Sequence, residues 1–155
     1  MQNILVPVDF SAVTEVVLAH VVPLAKAFKS TLWLLHVAAP EPDFVGYEPG
    51  PASVREGVER AKRDEQKRVE AMAADLHAEG VDAKALMLEG EIVPMILGQA
   101  EEWAVDLIAI GSHGHGAIHK VLLGSVSEGV LRNATCAVLI VPAPERAARS
   151  RSSSQ

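Results

Sequence analysis

The sequence has a single cysteine, Cys136, which excludes an intramolecular disulfide framework. Cys136 opens an apolar run that continues through 137–141, so a buried, inert thiol is expected, as suits a reducing compartment. Aromatic residues are also scarce at 4%, so the 49% hydrophobic content rests on Val, Leu, Ile and Ala, the composition of buried parallel strands. Positive charge is short as well. Fourteen Lys and Arg stand against 20 Asp and Glu, a formal net charge of -6. That argues against a nucleic-acid partner, whose phosphates require a basic surface. A small anion is still admissible, because main-chain N–H groups can bind it without side-chain charge. No apolar run approaches the ~20 residues that span a bilayer. No basic segment followed by an apolar one precedes the first strand, so a cytoplasmic protein without a membrane partner is expected.

What is present alternates between two kinds of segment. Asn3–Val8 reads as a buried strand. Ser11 is a plausible N-cap for a helix carrying Thr14, Val17, Leu18, Val21, Ala25 and Phe28 at helical spacing, with Pro23 awkward inside it. Thr31–Val37 is a second strand. Residues 39–51 hold Pro40, Pro42, Pro49 and Pro51 with Gly46 and Gly50, and form a loop. A long charged helix follows, with Val54, Val58, Ala61, Val69, Met72 and Leu76 on one face, a solvated charge run on the rest, and Gly80 at its end. Val81–Leu88 is a third strand. Pro94 suits the first turn of the next helix, whose stripe is Ile96, Leu97, Ala100 and Trp103. Asp106–Ile110 is a fourth strand, a short helix carries Val130 and Leu131, and Cys136–Val141 is a fifth strand. The domain is expected over 1–143, with a disordered Arg- and Ser-rich tail over 144–155.

Strand–helix alternation of this kind implies an α/β fold, doubly wound, with a parallel sheet covered by helices on both faces. Ligands in such folds bind outside the carboxyl ends of the strands, where the strand order reverses. Two stretches qualify: Pro7, Val8 and Asp9 with Phe10 and Ser11, and the segment from Gly111 onward.

That second segment reads GSHGHGAIHKVLLGSVSEGV. Gly111, Gly114 and Gly116 follow a buried strand, where backbone must approach a ligand closely or take positive φ. Ser125 and Glu128 have capping-box spacing, which makes Ser125 the expected N-cap of a helix whose amino end attracts an anion. The physical reading is a loop that wraps a polyphosphate with main-chain donors and enters a helix aimed at the same anion. The lysine-bearing P-loop is absent, and VPVDFS stands where a dinucleotide fold would carry its glycines. A Ser-Gly-Gly-rich loop of the ATP-pyrophosphatase kind is also missing after the first strand.

Gly111-x2-Gly114-x9-Gly124-Ser125 resembles the G-2x-G-9x-G-(S/T) pattern of the ATP-binding branch of the universal stress protein family. NILVPVDFS, LLHV, DLIAIGSHG, LLGSVSEGVL and CAVLIVP agree with it in order, so the likeness covers about Met1 to Pro142. The resemblance implies a five-stranded sheet in the order 3-2-1-4-5, of the adenine nucleotide alpha hydrolase-like kind. It also implies ATP with Mg²⁺ or Mn²⁺ as ligand. Asp9 would face ribose and adenine, and main-chain groups of Val37 the adenine edge. Gly111, Gly114, Gly124, Ser125 and Val126 would hold ribose and phosphates, with Ser112, His113, His115 and Ser127 beside them. A homodimer through the last strand, Ala137–Val141, is implied too. The protein so implied is a nucleotide-dependent regulator of the stress response. Its alternatives are a slow ATPase and a structural dimer with a vestigial site.

Plainer readings stand beside these. Asp9 can simply cap the helix that begins near Ser11. His113, His115 and His119 suggest a metal, but no Cys or carboxylate completes a set, and no metal-binding residue is assigned. His20 and His36 read as structural positions, and Trp33 and Trp103 as packing. No residue can be placed as a water-activating base beside a γ-phosphate, so hydrolysis would be weak at most.

Overall fold

The computed structural model describes residues 1–38, 40, 52–112 and 123–142, with no account of the side chains of 52–55. Five strands alternate with four helices: β1 (Asn3–Pro7), α1 (Ala12–Phe28), β2 (Thr31–Ala38), α2 (Ala52–Ala78), β3 (Asp82–Glu89), α3 (Ile92–Glu102), β4 (Leu107–Gly111), α4 (Ser125–Asn133) and β5 (Ala137–Val141). All four strand pairs are parallel, and the sheet runs β3-β2-β1-β4-β5, the order the resemblance implied.

Side-chain alternation at period two divides the core. Ile4, Val6, Leu32, Leu34, Leu107 and Ala109 face one side, where they meet Val17, Val21 and Ala25 of α1 and Val69, Ala73 and Leu76 of α2. Leu5, Leu35, Ile108 and Ile110 face the other side, against Ile96 and Ala100 of α3 and Val130 of α4. Each fully buried aliphatic side chain contributes roughly 1.5–3 kcal/mol relative to exposure. Right-handed crossovers explain the division. Winding from β1 to β3 puts α1 and α2 on one face, and reversing direction to reach β4 and β5 puts α3 and α4 on the other.

Several apolar stripes are shorter than helical periodicity predicted. Phe28 is 54% exposed as the last residue of α1, beyond the buried Ala25, and Leu131 is 51% exposed although its neighbour Val130 is fully buried, because one helical step turns it away from the core. Ala61 is exposed for a different reason. The 27 residues of α2 rise ~40 Å at 1.5 Å each, more than the eight residues of β2 can cover. Among the described side chains of α2, full burial accordingly starts at Val69. Pro23 lies on the exposed side of α1, where the carbonyl its ring leaves without a donor can reach water. Gly80 takes φ 83 after α2, and the Val81 N–H returns to the Leu76 carbonyl at 3.1 Å, closing the helix as its glycine predicted. None of the described helices is long and apolar enough to cross a membrane.

Cys136 is half-buried, not fully buried; it precedes β5, the strand at the edge of the sheet, where Ala137 is exposed and residues 138–140 are themselves only half-buried. Desolvation still raises its thiol pKa above the ordinary value of 9.0, so the inert reading stands. The loop 39–51, apart from Pro40, and the tail 143–155 lie outside the described residues.

Candidate functional site

Strand order reverses between β1 and β4, and the carboxyl ends of these two strands bound the crevice where doubly wound folds take ligands. On the β1 side the chain leaves the sheet at Val8. Its N–H donates to the Leu35 carbonyl at 2.8 Å, and its carbonyl accepts from Nδ1 of His36 at 2.8 Å. A carbonyl cannot donate, so Nδ1 carries the proton. Val8 is thereby fixed, and both its main-chain groups are used.

Asp9 follows, and it does act as a local cap. Its Oδ1 accepts from the Ser11 N–H at 3.0 Å, from Ser11 Oγ at 2.6 Å and from Thr14 Oγ1 at 2.9 Å. Ser11 occupies the N-cap position of α1, yet its hydroxyl caps nothing and serves Asp9 instead. The Asp9 residue is exposed, so these bonds hold a carboxylate in one orientation at the mouth of the crevice. Phe10, next in the chain, has φ 59, a left-handed conformation uncommon for a bulky residue.

Val37 lies in β2 beyond the last β1–β2 pair, Pro7 opposite Leu35. Main-chain groups point to alternate sides along a strand. The bond from Val8 to the Leu35 carbonyl fixes the phase, so the N–H and C=O of Val37 point to the side from which β1 has turned away.

On the β4 side, Gly111 ends the strand and Ser112 follows. The Ser112 N–H donates to the Val141 carbonyl at 2.7 Å, and its carbonyl accepts from the Gly124 N–H at 2.8 Å. The glycine-rich segment therefore closes on itself, with the chain entering α4 beside the point where it left β4. Ser127 Oγ donates to the Gly111 carbonyl at 2.6 Å, tying the first turn of α4 to the strand end. The Ser112 and Gly124 amides and the Ser127 hydroxyl thus have partners within the fold.

Gly124, not Ser125, is the N-cap of α4. The predicted capping box between Ser125 and Glu128 is therefore not formed, and Glu128 instead accepts from Arg132 at 2.7 Å one turn further on. No described side chain caps α4, so the first-turn N–H groups of Ser125, Val126 and Ser127 form a positive helix end beside Gly111. His113, Gly114 and His115, and also His119 and Lys120, lie outside the described residues. Among the described residues no group of three or more His, Cys, Asp or Glu could hold a metal ion.

Sequence reasoning passed over one part of this edge. His36 packs its ring against Phe10 at 4.5 Å between centroids and faces Oε2 of Glu65 through Nε2 at 3.4 Å. The Arg68 guanidinium lies over the Phe10 ring at 4.5 Å. Lys62 Nζ meets Glu89, the last residue of β3, at 2.7 Å. Part of the supposed solvated charge run therefore reaches the site. Its signal was the recurrence of Lys62, Glu65 and Arg68 at every third position of α2.

The sequence profile described as "Universal stress protein family" matches residues 1–142. Universal stress protein MJ0531 of Methanocaldococcus jannaschii is 33% identical over 148 residues, covering 94% of this chain and 84% of that protein. Universal stress protein MJ0577 of the same organism is 31% identical, covering 90% of this chain and 94% of that one. The solved structure of MJ0577 superposes with a TM-score of 0.70 over 92% of this chain and 96% of its own. A universal stress protein solved in complex with cAMP, 27% identical, gives a TM-score of 0.58 over 90% of this chain and 95% of that one. An Arabidopsis thaliana member with AMP bound, at 18% identity and a TM-score of 0.67, shares the fold over 94% of each chain. Sequence profile, relatives and topology agree: this chain belongs to the universal stress protein family.

Proposed function

We propose that the chain is an ATP-binding regulator of the stress response that works as a homodimer in the cytoplasm. The observation that carries the reading is the pairing, across the β1–β4 crevice, of an oriented, exposed Asp9 carboxylate with the α4 amino end that no described side chain caps.

The two walls suit opposite ends of one ligand. A carboxylate repels phosphate and accepts from hydroxyls, so Asp9 takes the ribose. Val37, with main-chain donor and acceptor turned toward the crevice, suits the adenine edge. The phosphates lie toward Ser125 and Val126, where the helix dipole favours negative charge. Gly111, Gly114 and Gly124 keep side-chain bulk out of their path. The accompanying Mg²⁺ or Mn²⁺ would be held mainly by phosphate oxygens and water, as Mg²⁺ usually is. The nucleotides in the related cAMP and AMP complexes support a site of this class. Binding without turnover is favoured, because the sequence offers no residue that can be assigned as a water-activating base for a γ-phosphate.

β5 ends the sheet beyond β4, and its Ala137 is exposed while Val138, Leu139 and Ile140 are half-buried. Such an apolar edge is suited to pairing with its twin in a second copy.

Native mass spectrometry of the purified protein tests both parts at once. The expected species is a dimer carrying adenine-nucleotide mass. A nucleotide-free monomer, even after incubation with ATP and Mg²⁺, would remove the proposal. Timed phosphate release above the buffer rate would favour the slow-ATPase alternative.

A further inference from the structure

The part of α2 that lies over the sheet meets the left-handed turn at Phe10 through Arg68. Lys62 lies level with the carboxyl end of β3 through Glu89, so the ten residues 52–61 project beyond the sheet edge, ~15 Å of helix. From Lys62 inward, three residues spaced by three reach successive parts of the carboxyl edge. Lys62 meets Glu89 at the end of β3, Glu65 meets His36 near the end of β2, and Arg68 meets Phe10 after β1. The Phe10 ring contacts both the His36 ring and the Arg68 guanidinium, and Arg68 Nη2 makes a long 3.4 Å bond to the Phe10 carbonyl. His36 also holds the Val8 carbonyl, on the other side of Asp9. Asp9 is thus flanked on both sides by main chain gripped from β2 and α2.

We propose that Arg68 and His36 are positioning residues which hold the Asp9 turn in its ligand-ready form and couple occupancy of the crevice to α2, making this helix the element through which a bound nucleotide is read out. The inference rests on the nucleotide reading above and adds its regulation. The physical basis is the left-handed Phe10. A conformation that costs free energy persists only where its surroundings hold it, and here the holding groups belong to another helix. A ligand that binds the oriented Asp9 favours the gripped turn, and by reciprocity anything that shifts α2 changes ligand affinity.

Arg68 is on an exposed helix face, so Arg68→Met should leave the protein folded. Hydrogen exchange of the unliganded protein should show Ser11 and Thr14 amides exchanging about tenfold faster, with the amides around Val69 to Leu76 unchanged. ATP affinity should fall about three- to tenfold, within the range expected of residues that modulate a site without touching ligand. Arg68→Lys, which retains a cation over the ring, should restore most of both. In a Phe10→Gly background, where the left-handed turn needs no ring to hold it, Arg68→Met should change affinity less than about twofold. Unchanged exchange at Ser11 and Thr14, or faster exchange with unchanged affinity, would overturn the proposal. If the unsubstituted protein bound no nucleotide, the functional reading and the coupling would fall together. The exchange data would still decide whether α2 holds the turn.

Discussion

At the amino edge of the sheet, polar groups from distant parts of the chain close on one another, whereas at the carboxyl edge side chains hold turns open. At the amino edge, Asn3 accepts from Trp33 Nε1 at 3.1 Å and donates to the Trp103 carbonyl at 3.0 Å, beneath two indoles stacked 4.2 Å apart. Asp106 Oδ2 accepts from the main-chain N–H groups of Gln2 and Asn3, and Thr31 Oγ1 donates to Asp82 at 2.6 Å. At the carboxyl edge, His36 and Ser127 each donate to a main-chain carbonyl, and Asp9 accepts from the Ser11 amide and from the Ser11 and Thr14 hydroxyls of its own turn. There the Asp9 carboxylate stays exposed, and α4 has no side-chain cap. One edge is built to be finished and the other to receive something. Stability and ligand binding should therefore separate between the two edges.

The sharpest way to test that separation is Gly114→Val, which places a branched side chain in the glycine-rich segment. ATP binding should be abolished, more than a hundredfold, while thermal denaturation and subunit number stay as they are. Retained affinity would mean that this segment does not approach the phosphates.

The next effect contrasts the two edges directly. Asn3→Ala leaves the part-buried Trp33 N–H without its acceptor and the Trp103 carbonyl without that donor, a cost of about 1–3 kcal/mol in denaturant unfolding. Nucleotide affinity should not move. Ser127→Ala removes one neutral bond to Gly111, costs about 1 kcal/mol, and should weaken nucleotide binding severalfold because the α4 end loses its tie to β4. Equal effects of both variants on affinity would erase the distinction between the edges.

The smallest effect is Asp106→Asn. Hydrogen bonds from the Asn3 and Gln2 amides hold the Asp106 carboxyl below its ordinary value of 3.8. A depressed folded-state pKa gives stability that is present above the unfolded value and lost as pH falls through the folded one. The difference in Tm between the original protein and the variant should be small near neutrality and should close as pH drops below about 4. A gap that widens toward acid would contradict this cause.

How far the sequence revealed these features depended on the kind of signal. All five strands were legible to within one residue at each end, most plainly β1, β2, β4 and β5, which are written as largely aliphatic runs bounded by Gly, Pro or polar residues. Helix ends were less legible. Phe28 and Ala61 continued a periodicity that the sheet beneath them did not, and only the relative lengths of helix and strand decide that. The α4 N-cap fell on Gly124 instead of Ser125, and its first turn is tied down by Ser127 bonded to Gly111, a contact across 16 positions that local spacing cannot show. Gly111 and Gly124 were readable as a pattern but for an incomplete reason. Neither takes positive φ, so of the two reasons offered for Gly111 only close approach remains. The His36–Phe10–Arg68 group was invisible as a unit, since a buried histidine, a turn phenylalanine and one arginine among many charges acquire meaning only when brought together.

The most direct test of the central claim is calorimetric titration of the nucleotide-free protein with ATP, ADP, AMP and cAMP in the presence of Mg²⁺. A saturable heat with ATP at one site per chain, lost in Gly114→Val and sharply weakened in Asp9→Ala, is the predicted result. Absence of heat with every adenine nucleotide, from a protein that is folded by the same denaturation criteria, would contradict it.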